Sequence, residues 1–93
     1  MKKANEKWRI HIERQPQRAL RRLPKTLGQR IDRAILELTN NPRPVHSRKL
    51  VGFANMYRIR VGDWRIIYTI QDKQLFILAI RIAPRGSAYR NLP

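Results

Sequence analysis

Residues 56–71 read Met56-Tyr57-Arg58-Ile59-Arg60-Val61-Gly62-Asp63-Trp64-Arg65-Ile66-Ile67-Tyr68-Thr69-Ile70-Gln71. Apolar and polar residues alternate on both sides of Gly62-Asp63, the pattern of two strands, Met56–Val61 and Trp64–Gln71, joined by a two-residue hairpin turn. Such a turn fixes the register: Val61 opposite Trp64, Arg60 opposite Arg65, Ile59 opposite Ile66. One face then carries Tyr57, Ile59, Val61, Trp64, Ile66, Tyr68 and Ile70 and is expected to meet a core. The other carries Arg58, Arg60 and Arg65 and is expected on the solvent side. Like charges directly opposite in a sheet are unfavourable. Their presence points to a demand outside folding, and a phosphate backbone is the kind of partner that such a face binds.

A third strand, Leu75–Ile82, follows. For Phe76, Leu78, Ile80 and Ile82 to reach the same core, the connecting loop must have the right parity. A two-residue loop at Asp72-Lys73 places Phe76 opposite Thr69, on the wrong face. A three-residue loop, Asp72-Lys73-Gln74, places Phe76 opposite Ile70 and Arg81 opposite Arg65. That loop, or an equivalent bulge, is the expectation.

Upstream, Trp8–Glu13 alternates as a half-buried strand. Pro16 suits the first turn of a helix, with Ala19, Leu20 and Leu23 as its apolar stripe. Pro24 ends that helix and can open the next. In the second helix Leu27, Ile31, Ala34, Ile35 and Leu38 recur at helical spacing, and Asn40-Asn41-Pro42 stops it. Residues Arg43 to Ala54 form a connection under which Leu50 and Phe53 tuck. The expected fold is α+β in the order βααβββ. A helical hairpin packs on one face of a mainly antiparallel four-stranded sheet, with the first strand beside the third strand of the meander.

The chain has 93 residues, enough for a single domain spanning 1–93. It has no cysteine, which excludes disulfides and thiolate metal sites, and only two histidines, which argues against a transition-metal site. No apolar run approaches the ~20 residues that cross a bilayer. Residues 1–7 are basic without an apolar stretch, so no signal peptide is expected. A cytoplasmic location fits. Lys and Arg number 21 against 6 Asp and Glu, a formal net charge of +15. This surplus suggests a polyanionic partner.

Residues 49–90 resemble the RelE/ParE superfamily of toxins from type II toxin–antitoxin systems. The likeness is carried by Lys49-Leu50-Val51-Gly52, by residues 56–68, and by Ala83-Pro84-Arg85-Gly86-Ser87-Ala88-Tyr89-Arg90. The last of these is similar to the family's Gly-His-Arg-x-x-x-Tyr-Arg tail. The resemblance to the RelE branch implies ribosome-dependent cleavage of mRNA in the A site, without metal or other cofactor, by attack of a 2′-hydroxyl on the adjacent phosphate. It implies catalytic roles for Arg60, Arg65, Arg85 and Tyr89. Arg65 would clamp the scissile phosphate, Arg85 would stabilise developing charge, and Tyr89 would stack on a base and orient the 2′-hydroxyl. Arg58, Arg60, Arg81, Lys49 and Arg90 would bind RNA. The family also implies a cognate antitoxin whose acidic segment wraps the basic surface, with promoter DNA bound only through that antitoxin. No membrane partner is implied.

The chain makes two departures from the family pattern. Relatives often have lysine where this chain has Arg58 or Arg60, and Ala83-Pro84 stands where Gly-His is usual. Arginine is a poor general base, and proline has no titratable side chain. His46, in the connection, is within reach of the basic face, and a solvated loop histidine is the plainer reading. His11 falls on the exposed side of the first strand. Trp8, Trp64, Tyr57 and Tyr68 share the core parity, and Arg18, Arg21, Arg22 and Lys25 read as a solvated helix face. A ParE-like inhibitor of DNA gyrase without nuclease activity, or a degenerate, non-toxic antitoxin-binding member, is the alternative function.

Overall fold

The computed structural model describes residues 8–92, so the reading of residues 1–7 lies outside the described residues. The chain runs β1 (Arg9–Ile12), α1 (Arg14–Arg22), α2 (Lys25–Leu38), β2 (Arg48–Lys49), β3 (Met56–Val61), β4 (Trp64–Gln71) and β5 (Phe76–Pro84). The five strands form one sheet in the order β1-β5-β4-β3-β2. β1 runs parallel to β5, and every other pair is antiparallel. The helical hairpin, the meander and the place of the first strand follow the expectation. The sheet has five strands rather than four, because Arg48–Lys49 pairs with Tyr57–Arg58 at the edge. Two residues are too few to show a period, so this strand was hidden inside the expected connection.

Pro16 lies in the first turn of α1, where its missing N–H costs nothing. Leu23 ends the helix with its N–H on the Leu20 carbonyl, and Pro24 stands directly before α2. α2 buries Ile31, Ile35 and Leu38. They pack on Ile59, Val61, Ile66, Tyr68, Ile70, Ile77 and Ile82 of the sheet. Burying each such isoleucine contributes about 1.5–3 kcal/mol. The β3–β4 register is the one that Gly62-Asp63 dictates, with Val61 opposite Trp64, Arg60 opposite Arg65 and Ile59 opposite Ile66. Gly62 adopts φ +61°, the left-handed conformation that such a turn needs.

The β4–β5 connection departs from the expected three-residue loop. Asp72–Gln74 make a 3₁₀ turn and Leu75 follows with φ 50°, so Phe76 pairs with Gln71 and Ile77 with Ile70. Ile77 and Ala79 therefore face the helices, in place of Phe76 and Leu78. A bulge then restores parity. Ile67 pairs with Arg81 while Tyr68 pairs with Ala79, so Ile80 is the extra residue and Ile82 returns to the helix side opposite Ile66. Arg81 accordingly faces Ile67 and not Arg65, whose partner is Ala83.

The sheet face away from the helices is not wholly polar. Met56, Ile67 and Ile80 form a second buried cluster there, packed by Leu50, Phe53, Leu78 and Leu92. Leu50 and Phe53 tuck in as expected. The cluster itself was unforeseen, although the pair Ile66-Ile67 signals a strand buried on both sides.

Candidate nucleic-acid interface

Strand pairing places the open-face arginines in rungs. Arg48 of β2, Arg58 of β3, Ile67 of β4 and Arg81 of β5 form one; Arg60, Arg65 and Ala83 form the next. Arg48 and Arg60 are exposed and Arg58 is half-buried. Together with His46 they line a concavity of about 260 Å³. Only one ion pair occurs among the described residues, between Arg43 and Asp72. Arg48, Arg58 and Arg60 make no ion pair among the described residues, and Arg48 Nη1 donates to the adjacent Ser47 carbonyl at 3.3 Å.

Three sequence expectations change. Arg65 lies on the expected face but is not on the solvent side, being only 6% exposed. Its side chain curls back over its own hairpin, where Nη1 donates to the carbonyls of Gly62 (3.3 Å) and Trp64 (3.1 Å). Arg81 is half-buried, and its Nη1 donates to the carbonyls of Arg90 (2.8 Å) and Ala88 (3.5 Å), so it fastens the tail. Lys49 pairs with Tyr57, on the helix-side parity, and so stands off the arginine face. Arg48, which the sequence reading did not single out, holds the corresponding place on that face.

The tail carries the remaining candidates. The Arg85 N–H donates to the Asp63 carbonyl (2.8 Å), which holds this residue beside the β3–β4 turn and the Arg60–Arg65 rung. Ser87 and Ala88 N–H groups return to the Pro84 carbonyl, and Ala88 is fully buried. Tyr89, 42% exposed, and the exposed Arg90 are left to solvent. Leu92 packs on the open-face cluster, so the tail crosses that face.

The segment before β2 is firmly braced. Arg43 forks onto both carboxylate oxygens of Asp72 (3.1 and 2.9 Å), and its Nε donates to the Tyr57 hydroxyl. The Arg43 guanidinium holds the Asp72 carboxyl below its ordinary value. Tyr68, fully buried, donates its hydroxyl to the Pro42 carbonyl at 2.7 Å. Burial pushes this phenol up to about 12. Ser47 then closes a turn on Pro44 through both its N–H (2.9 Å) and its Oγ (2.8 Å). His46 sits inside that turn.

A cleft of about 590 Å³ lies elsewhere, between α1 and the ends of β4 and β5, with Arg18 and Arg22 among its lining and Leu23 and Trp64 among its apolar walls. β1 ends at Ile12, and the Gln15 amide takes over its pairing by bonding both the N–H and the carbonyl of Ile82. No helix among the described residues is long and apolar enough to cross a membrane.

A family model described as the ParE toxin of a type II toxin–antitoxin system, parDE, matches residues 1–89. The chain is 27% identical over 88 residues to a Methanocaldococcus jannaschii protein named as toxin RelE1, covering 91% of this chain and 98% of that protein. Among solved structures, the archaeal RelE–RelB complex from Pyrococcus horikoshii superposes with a TM-score of 0.77 at 34% identity, over 87% of this chain and 98% of that one. The intact E. coli RelBE toxin–antitoxin complex gives a TM-score of 0.73 over 83% and 95%; at 19% identity it shows the fold alone.

Proposed function

Since this chain belongs to the RelE/ParE family of toxins from type II toxin–antitoxin systems, we propose that it acts as an endoribonuclease cleaving mRNA in the ribosomal A site. The observation that carries this reading is the gathering of Arg48, Arg58 and Arg60 around one concavity on the open sheet face. Folding alone would disfavour such a cluster, and a phosphodiester would neutralise it. Arg58 and Arg60 hold the scissile phosphate through charge-assisted hydrogen bonds. Arg85, held beside the Arg60 rung, stabilises the charge that builds as the 2′-oxygen attacks phosphorus and the 5′-oxygen leaves. Tyr89 stacks on a base and orients the 2′-hydroxyl. Arg65 braces the turn and adds positive charge beneath the phosphate, and Arg81 positions the tail that carries Tyr89 and Arg90. The protein acts in the cytoplasm, where translation takes place. Its antitoxin presents an acidic segment to the basic surface and carries the pair to promoter DNA.

Primer extension on a defined mRNA, with and without programmed ribosomes, tests this. Cuts should appear only with ribosomes. Arg85→Ala and Tyr89→Phe should weaken them, with Arg85→Ala costing about 100-fold or more. A folded protein that cuts nothing under either condition would end the nuclease reading.

A second reading rests on the family model that matches residues 1–89, which is described as a ParE toxin. In that case the same basic surface serves to inhibit DNA gyrase without cutting RNA, and a supercoiling assay would show inhibition by the uncleaving protein.

A further inference from the structure

Cleavage through a 2′-hydroxyl needs a group that removes its proton. The sequence leaves that role without a holder. Arg58, Arg60 and Arg85, to which the step above assigns the phosphate and its developing charge, all carry guanidiniums. Guanidiniums are always protonated and cannot accept. The structure supplies one candidate that the mechanism above does not use.

We infer that His46 is the general base of this site. Resting on the nuclease reading, this assigns a residue to its missing proton-transfer step. His46 lines the same concavity as Arg48, Arg58 and Arg60, and of these four side chains it alone has a nitrogen that can accept a proton. Arg48 from β2 and Arg58 and Arg60 from β3 are the charged groups that face it there. It is exposed, so it is open both to a ligand in that concavity and to solvent.

Its placement is not that of a loose loop histidine. The sole ion pair among the described residues and a buried tyrosine hydroxyl both grip the chain a few residues before it, at Arg43 and Pro42. Ser47 fastens the turn immediately after it with two bonds to Pro44. The next residue, Arg48, enters the sheet opposite Arg58. These contacts hold the backbone on both sides of His46, so the residue is presented at the rim of the arginine concavity, where general-base catalysis would need it.

In the step itself, an imidazole nitrogen takes the 2′ proton as the 2′-oxygen bonds to phosphorus. The bond from phosphorus to the 5′-oxygen breaks, and the leaving oxygen takes a proton from water. The imidazolium then returns its proton to solvent, so no oxidant, reductant or net water is consumed. The products are a 2′,3′-cyclic phosphate and a 5′-hydroxyl.

Single-turnover cleavage on programmed ribosomes between about pH 5 and 8 tests the assignment. In the wild type the rate should rise with pH. His46→Gln should lower the saturating rate about 100-fold or more with little change in KM, and should abolish that rise. Added imidazole should restore part of the rate of His46→Gly. Asp72→Asn, which loosens the brace, should lose less and keep the pH profile. If His46→Gln cuts at the wild-type rate with the wild-type profile, or if its loss keeps the pH dependence and imidazole restores nothing, His46 is not the base. A wild type that cuts nothing removes the nuclease reading itself, and this assignment with it.

Discussion

The two faces of the central sheet share the same three long strands but are built for different ends. On the helix side, Ile59, Ile66, Tyr68, Ile70, Ile77 and Ile82 are all essentially inaccessible, and the helices cover them with matching apolar stripes. On the open side, the same strands carry Arg58, Arg60, Arg65 and Arg81 around a smaller apolar cluster of Met56, Ile67 and Ile80. The helix side looks like the solution to a folding problem. The open side sets like charges opposite one another and then spends structure on arranging them: Arg65 tied to its turn, Arg81 tied to the tail, the segment before β2 braced by Arg43 and Tyr68. On the proposed function, stability and ligand affinity are thereby separated onto opposite sides of one layer, so variants on each side should have different signatures.

The largest expected effect on stability is on the helix side. Ile66→Ala removes a fully buried side chain from the main core and should cost about 2–5 kcal/mol in denaturant unfolding. The RNA binding proposed for the open face should stay unchanged per folded molecule; a specific loss of binding would break the division between the faces. Next comes Tyr68→Phe, which leaves the buried Pro42 carbonyl without its partner and should cost about 1–3 kcal/mol. This variant also has a pH signature. The folded phenol is raised from 10.0 to about 12, so its contribution is fully present below pH 10 and fades as pH rises through about 12. The alkaline fall in unfolding free energy should therefore be shallower in Tyr68→Phe than in the wild type. Smallest in global stability is Arg81→Ala on the open side, about 1 kcal/mol, since its hydrogen bonds to the tail are partly solvated. Its effect should concentrate locally, as faster amide hydrogen exchange across residues 85–92 with the sheet unaltered. Uniformly faster exchange would mean that the tail belongs to the folding unit.

Most of the helix-side architecture was legible because its signals are periodic and local. The Gly62-Asp63 turn fixed a register that the structure reproduces pair by pair, and Ile31, Ile35 and Leu38 mark the buried stripe of α2. The β4–β5 connection was not legible in detail. Parity demanded a correction, but a three-residue loop and a longer loop with a compensating bulge satisfy much the same hydrophobic pattern. The choice between them moved Arg81 from opposite Arg65 to opposite Ile67. The site suffered from the same blindness to long-range geometry. Arg58 and Arg60 were visible from alternation and His46 was expected within reach of their face, whereas Arg48 sits in a two-residue edge strand with no period and joins them only through strand pairing.

The sequence alone determined the order of the two helices and the four longer strands, the hairpin register, the identity of the basic face and the absence of any cysteine chemistry, because each follows from local periodicity, turn stereochemistry or composition. Only the tertiary structure decided which arginines on that face are free to meet a ligand. Arg65 and Arg81 are held by carbonyls of the turn and the tail, while Arg48, which donates only to the adjacent Ser47 carbonyl and stays exposed, lines one concavity with Arg58, Arg60 and His46. Whether a guanidinium faces solvent or a carbonyl depends on where distant loops and the tail come to rest, and those contacts form between segments far apart along the chain.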